Sequence, residues 1–169
     1  MSHVPLSTMA KLASMTVEDI DPAMLRVATR LPSSLEPRPL GVKVLLDISG
    51  SKKATHEEFI LEAATDAADV QVLAAQERRG TRLWVYRLSS ADVVRLRQIM
   101  ERSSNSKASS VSIAAGVEAC HRVPLGRSAL PTTTFLRTNG AGYFVVTEDL
   151  DLRTVVPEAE LKSKVPACV

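Results

Sequence analysis

The run of aliphatic residues from 42 to 46, Val-Lys-Val-Leu-Leu, constrains the fold of this chain more than any other segment. An apolar, β-branched run that ends at glycine and serine is typical of a buried strand that enters a tight turn. The turn itself carries Asp47, Ser49, Gly50 and Ser51. An acid and two hydroxyls in such a place can hold a divalent cation, cap a helix or serve only the turn, and the residues leave these three alternatives open.

Length and composition predict one soluble domain with a short extension. The chain has 169 residues, of which 45% are apolar and only 4% aromatic, so we expect a core of Val, Leu, Ile and Ala. We predict a compact α/β core domain over residues 1–128 and a C-terminal hairpin with a loose tail over residues 129–169. The tail is predicted because the chain past residue 150 is polar and contains Pro157 and Pro166.

The compartment is predicted from the apolar runs and the cysteines. No segment approaches the roughly 18 apolar residues that span a bilayer, and the N-terminus lacks the apolar stretch of a signal peptide. The two cysteines, Cys120 and Cys168, do not make a disulfide framework, so we expect free thiols in a reducing cytosol. The sequence therefore predicts an intracellular protein with no membrane partner.

Local patterns predict an α+β fold with a mixed sheet and helices packed on it. The predicted helices are residues 22–31, a segment that starts at Thr55, a segment that starts at Ser90, and residues 111–123. The predicted strands are residues 42–48, 70–74, 82–88, 132–137 and 143–147, the last two joined at Asn139-Gly140. The order is strand, helix, strand, strand, helix and a later hairpin, and residues 42–100 alone satisfy a ferredoxin-like split βαβ unit.

Charge is distributed unevenly along the chain. Six acids and no bases lie between residues 54 and 77, whereas residues 78–127 contain ten bases and three acids. One interpretation is a bipolar molecule with a basic face for phosphates or acidic protein, and the other is two solvated faces that neutralise each other. The candidate residues for binding RNA or an acidic partner are Arg78, Arg79, Arg82, Arg87, Arg95 and Arg97.

Four of these arginines surround Trp84 and Tyr86 on a predicted hairpin. Arginines pair with phosphates and aromatic rings stack on bases, so an exposed hairpin of this kind suits single-stranded RNA. The alternative is that both rings face the core while the arginines point outward, as strand alternation allows.

The Asp47-x-Ser49-x-Ser51 pattern after an apolar strand resembles the metal-ion-dependent adhesion site of von Willebrand A-type domains. In those domains a later loop and a Thr-Asp-Gly turn complete the site. Here Ser110 or Ser112 lies in a plausible later loop and Thr138-Asn139-Gly140 is similar to the turn, with an amide in place of the acid. The resemblance implies that Asp47, Ser49 and Ser51 bind Mg or Mn as the only cofactor of a metal-dependent binding domain.

The sequence signals for catalysis are weaker than those for a cation site. Ser49 or Ser51 can be drawn with His56 and Asp47 as a triad, but the chain has no Gly-x-Ser-x-Gly elbow and its histidines are scattered. We therefore expect a protein that is not an enzyme and that needs no cofactor.

Taken over its full length, the chain resembles the small accessory protein of the polymerase-complex core of double-stranded RNA bacteriophages, the cystoviruses. The resemblance lies in chain size, in an Ala/Val/Arg-rich composition and in a proline-punctuated C-terminal segment. It implies an α/β homodimer that assists capsid assembly and RNA packaging in the virion core and the host cytoplasm. The implied partners are viral capsid and polymerase proteins, with single-stranded RNA as a further candidate.

Overall fold

The computed structural model describes residues 10–11, 15–49, 54–104 and 110–169, and these form two antiparallel sheets and four α-helices. The strands are β1 (Ala10–Lys11), β2 (Met15–Thr16), β3 (Arg26–Pro32), β4 (Leu35–Ser49), β5 (Ala54–Ile60), β6 (Glu62–Ala63), β7 (Thr81–Arg87), β8 (Ser110–His121), β9 (Pro131–Arg137) and β10 (Phe144–Asp151). The helices are α1 (Ala67–Val72), α2 (Ser90–Ser104), α3 (Leu152–Val155) and α4 (Glu158–Lys164). The predicted α+β class is confirmed, but two antiparallel sheets take the place of the one mixed sheet.

The two sheets share one aliphatic core. The first sheet has the order β1–β8–β4–β5, with β2 also paired to β8, and the second has the order β10–β9–β3–β7–β6. Along β4, Val44 and Leu46 are buried while Asp47 is exposed on the opposite face, which is the period of two expected of a strand. The core takes side chains from both sheets, and α2 adds Leu96 and Ile99 to it.

Three segments predicted as helices are strands. The side chain of Asp21 accepts a hydrogen bond from the amide of Ala23 and closes a turn there, so β3 follows where a helix was expected. The segment from Thr55, with its helix-like capping spacing, forms β5, whose exposure alternates along the strand. Residues 111–123 lie mostly in β8, which has neighbours on both sides, and the segment predicted as a strand at 70–74 lies in α1 and a following 3-10 turn.

Other predictions from the sequence are confirmed. Residues 42–48 lie in β4, residues 82–87 in β7, and a helix begins at Ser90. The chain between β9 and β10 turns at Asn139-Gly140, and these two strands pair antiparallel. However, β7 does not form the expected hairpin with residues 70–74, because its partners are β3 and β6.

The C-terminal segment is integrated into the fold. Strand β9 lies between β3 and β10 in the second sheet. Past Leu150 the chain forms α3 and α4 instead of a loose tail, and these helices bury Leu152 and Leu161 in a second aliphatic cluster. That cluster also contains Leu31 from the end of β3 and Leu35 from the start of β4, so residues 129–169 pack directly on the earlier strands.

Candidate functional site

The basic residues that precede and begin β7 form a tight turn, which we call the arginine turn (Arg78, Arg79 and Arg82). The amide of Thr81 donates to the carbonyl oxygen of Arg78 over 3.0 Å. Gly80 has a φ of +77°, a value that glycine adopts without strain. All three arginine side chains are exposed, so this turn presents positive charge at one end of the second sheet.

The positive charge of Arg78 is partly neutralised by acids of the same chain. Its Nη1 donates to Oδ2 of Asp149 over 3.1 Å, and its Nη2 lies 4.0 Å from a carboxylate oxygen of Glu148. The hydrogen bond from Arg78 is the main cause that lowers the pKa of Asp149. A change at Arg78 therefore affects the contact between the arginine turn and β10 as well as the surface charge.

Arg79 and Arg82 keep their charge at the surface. Within the residues that the structure describes, the side chain of Arg79 has no acidic partner. The guanidinium of Arg82 lies 4.4 Å from the centroid of the Trp84 ring, an arrangement that holds the side chain in place without neutralising it. These two residues are the cations of the arginine turn that a partner can use.

Trp84 and Tyr86 pack against the interior instead of standing open on a hairpin. Both are half-buried, and they contact two different aliphatic clusters. Burial, with a further contribution from the negative charge of Glu36, raises the pKa of Tyr86 to about 12. Of the two alternatives that the sequence left open, the structure therefore supports the one in which the aromatic rings belong to the core.

Most acids of the acidic segment form ion pairs within the fold. Five of the six acids between residues 54 and 77 form ion pairs, which are Glu57–Arg95, Glu58–Lys43, Glu62–Arg87, Asp66–Arg87 and Asp69–Arg26. Two candidate residues, Arg87 and Arg95, are therefore engaged within the fold, and Arg97 lies apart from the arginine turn on the exposed side of α2. Of the two alternatives that the sequence left open, these pairs are closer to neutralisation than to a bipolar surface, and Arg79 and Arg82 stay exposed at the arginine turn.

The first sheet carries a row of polar side chains on its outer face. Asp47 on β4 is paired in register with His56 on β5 and with Ser112 on β8. Oδ1 of Asp47 is in direct contact with Nδ1 of His56, and the hydroxyl oxygens of Ser49 and Ser110 are 2.6 Å apart. Ser49 bonds to Ser110 and Ser51 lies outside the described residues, so of the triad considered from the sequence the described residues bring together the acid and the imidazole.

This polar row borders an open groove of about 450 Å³, whose lining includes Leu45 and Ala114. Ser51, the third residue of the expected cation motif, lies outside the described residues. Asn139 donates from Nδ2 to the carbonyl oxygen of Asp19 and so contributes to a different part of the fold. The turn leads into the strand β5, not into the predicted helix, so the resemblance to A-type domains is limited to the residues of the motif.

A covalent link in the C-terminal segment was not predicted from the sequence. Cys120 and Cys168 form a disulfide, and the prediction of free thiols is therefore wrong for this structure. Oε1 of Glu36 lies 4.0 Å from Sγ of Cys120. The two cysteines are 48 residues apart, and two cysteines at such a separation show no spacing that distinguishes a bonded pair from two thiols.

Comparison of the chain with protein-family models, with curated proteins and with solved structures found no match. Among the described residues, no helix combines the length and the apolar character needed to cross a bilayer.

Proposed function

We propose that the protein is a non-enzymatic assembly and RNA-packaging cofactor of a viral core particle, in which it bridges protein surfaces. This is the role implied by the resemblance to the cystovirus accessory proteins. Its partners in this proposal are capsid and polymerase proteins, which it meets as a homodimer in the virion core and the host cytoplasm. RNA is a further partner in the same proposal.

The observation that carries this proposal is the surface charge of Arg79 and Arg82. Four of the nine arginines between residues 78 and 127 pair with acids of the same chain, and these are Arg78, Arg87, Arg95 and Arg122. Arg79 and Arg82 are exposed, and neither has an ion pair within the described residues. A guanidinium donates hydrogen bonds in a planar fork that matches a carboxylate or a phosphate. A surface with this charge is suited to an acidic partner.

The position of the aromatic rings favours a protein or phosphate contact over recognition of bases. Stacking on bases requires open ring faces, and Trp84 is covered by the Arg82 guanidinium and the adjacent cluster. Binding of RNA at the arginine turn would therefore involve the phosphate backbone, and it would be independent of sequence and weakened by salt.

The double variant Arg79→Glu/Arg82→Glu is expected to lower particle assembly and RNA packaging by at least tenfold. It replaces two cations by two anions, so a surface that attracts an acidic partner repels it. Arg78 is left in place because its bond to Asp149 supports the fold. The measurement is the yield of particles and of packaged RNA in reconstitution with the capsid and polymerase proteins.

A matched control changes the same amount of charge elsewhere. The variant Arg127→Glu/Lys162→Glu alters two exposed cations in the loop after β8 and in α4, and it should leave assembly within twofold of the unmodified protein. Thermal unfolding of both variants is the check that the fold is intact, and both are expected to unfold at the temperature of the unmodified protein. Unchanged assembly in the Arg79→Glu/Arg82→Glu variant, or an equal loss in the control, would contradict a role for the arginine turn.

A second candidate function is divalent-cation-dependent binding at the polar row of the first sheet. The observation that favours it is the convergence of Asp47, Ser49, Ser110, Ser112 and His56 on one face. Carboxylate and hydroxyl oxygens are the ligands that Mg²⁺ and Mn²⁺ prefer, and an imidazole also suits Mn²⁺.

For this second candidate we expect calorimetric titration with Mn²⁺ to show saturable heat that disappears in the variant Asp47→Asn. The change removes the negative charge and keeps the shape of the side chain. Asp66→Asn, an exposed aspartate in the segment before α1, is the matched control and should bind as the unmodified protein does. Absence of heat with the unmodified protein would exclude this candidate.

A further inference from the structure

The C-terminal end of the chain is fastened to β8 by backbone contacts in addition to the disulfide. The amide of His121 donates to the carbonyl oxygen of Pro166 over 2.8 Å, and the amide of Cys168 donates to the carbonyl oxygen of His121 over 2.9 Å. Leu161 and Val165 anchor the same segment in the second aliphatic cluster. None of these contacts involves a sulfur atom, so reduction of the disulfide does not remove them directly.

A carboxylate faces the two sulfurs. Glu36 lies on β4 opposite Cys120, and its side chain is only 18% exposed. Oε2 of Glu36 accepts a hydrogen bond of 2.7 Å from Nε of Arg122, whereas Oε1 lies 4.0 Å from Sγ of Cys120. A sulfur in a disulfide carries no proton to donate, so within the described residues Oε1 has no hydrogen-bond donor.

We propose that Cys120, Cys168 and Glu36 bind one zinc ion when the disulfide is reduced. One ligand atom from each residue lies within 4.8 Å of the other two. In a tetrahedral zinc site, with zinc–sulfur bonds of about 2.3 Å and zinc–oxygen bonds of about 2.1 Å, ligand atoms are roughly 3.5 Å apart. Small side-chain movements are therefore enough to form the site, and a water molecule takes the fourth position.

The donor set and its surroundings favour zinc over harder cations. Two thiolates select soft or borderline metal ions, whereas Mg²⁺ and Ca²⁺ prefer oxygen ligands. The hydrogen bond from Arg122 fixes the orientation of the Glu36 carboxylate and leaves Oε1 directed at the sulfurs. A hydrogen-bonded outer partner of this kind is common for carboxylates that ligate metals.

The change from the disulfide-bonded state to the zinc-bound state takes place in two steps. A dithiol reductant gives two electrons and two protons to the disulfide, which yields the thiols of Cys120 and Cys168 and the cyclic disulfide of the reductant. Zn²⁺ then binds the two sulfurs as thiolates and releases two protons. In the reverse direction, a small-molecule disulfide takes two electrons from the two thiolates and two protons from water and becomes two thiols, while the Cys120–Cys168 bond forms and Zn²⁺ leaves.

This site gives the C-terminal segment a cross-link in either redox environment. A disulfide persists in an oxidising compartment, whereas thiols stay reduced in a cytosol. The zinc ion would connect β4, β8 and the C-terminal segment under reducing conditions, where the disulfide is lost. The inference depends on the cysteine cluster alone, and it holds or fails independently of any partner of the arginine turn.

The test compares zinc binding by the full chain before and after reduction. The protein is reduced with dithiothreitol, desalted without oxygen and titrated with Zn²⁺ in competition with a chromogenic chelator. We expect one zinc ion per reduced chain, none in the oxidised chain, and about two protons released per zinc ion at neutral pH. Zinc should also raise the unfolding temperature of the reduced chain, because a ligand that binds the folded state stabilises it.

Three variants assign the ligands. Cys120→Ala and Cys168→Ala should each weaken zinc binding by at least a hundredfold, and Glu36→Gln, which keeps both cysteines, should weaken it by at least tenfold. The matched control is Glu118→Gln on β8, an acid that pairs with Arg38, and it should bind zinc within twofold of the unmodified chain.

Several results would overturn the proposal. These are zinc binding by the oxidised chain, binding that survives loss of either cysteine, unchanged affinity in Glu36→Gln, and no binding by a reduced chain that circular dichroism shows to be folded. If the reduced chain unfolds without metal, addition of Zn²⁺ should restore its circular dichroism spectrum. Failure to do so would also overturn the proposal.

Discussion

Loss of the Cys120–Cys168 disulfide is expected to lower the free energy of unfolding by between about 2 and 4 kcal/mol in zinc-free buffer. The bond closes a loop with a sequence separation of 48 residues. A cross-link over a loop of this size removes many conformations from the unfolded chain, and the chain-entropy argument gives about 4 kcal/mol as the upper end. The measurement is urea unfolding of the variant Cys120→Ala/Cys168→Ala beside the oxidised, unmodified protein.

Reduction of the unmodified chain provides the matched comparison. With a chelator present, the reduced chain and the double variant should agree to within about 1 kcal/mol, because both lack the same cross-link. Alanine is preferred to serine at position 120, since Cys120 is buried and a hydroxyl there needs a hydrogen-bond partner. If the free energy of unfolding falls by less than about 1 kcal/mol in both the reduced chain and the double variant, the backbone contacts around His121 hold the C-terminal segment without the disulfide.

Elements whose local signal agrees with their place in the fold could be predicted from the sequence. Strand β4 alternates between buried and exposed residues, α2 has Leu96 and Met100 at helical spacing, and Asn139-Gly140 suits a tight turn between β9 and β10. In each case propensity, periodicity and turn chemistry favour the same structure. In these elements the tertiary contacts stabilise the same structure that the local sequence prefers.

Strand β8 shows why other elements could not be predicted. It lies between β4 and the short strands β1 and β2, and its residues 113 to 117 are all buried. A strand covered on both faces loses the alternation that identifies strands, and a run rich in alanine then resembles a helix. The burial that stabilises β8 therefore removes its signature from the sequence.

The surface charge could be predicted only in part, because ion pairs depend on strand register and on packing. Arg87 meets Glu62 across β6 and β7, and Arg95 on α2 meets Glu57 on β5. Neither pairing follows from the order of charges along the chain. The cations that stay exposed at the arginine turn can be identified only when the ion pairs of the folded structure are known.

The variant Asp69→Asn is expected to lower the free energy of unfolding by about 3 kcal/mol or more. Asp69 lies in the first turn of α1 and is 5% exposed. Its Oδ2 accepts a hydrogen bond of 3.1 Å from Nε of Arg26, and its Oδ1 lies 3.4 Å from Nη2 of Arg137. The substitution keeps the shape of the side chain and leaves two largely buried guanidinium groups without a counter-charge.

Neighbouring carbonyl groups do not compensate for that loss. Arg26 also donates to the carbonyl oxygen of Leu25 and Arg137 to that of Met24, but these oxygens carry only partial charges.

The matched control is Asp66→Asn, three residues earlier, where the carboxylate also pairs with an arginine but is 59% exposed. An exposed pair contributes less than about 1 kcal/mol because water screens it. Urea unfolding should therefore separate the two variants by about 2 kcal/mol, and equal losses would show that burial of the Asp69 cluster does not determine its contribution to stability.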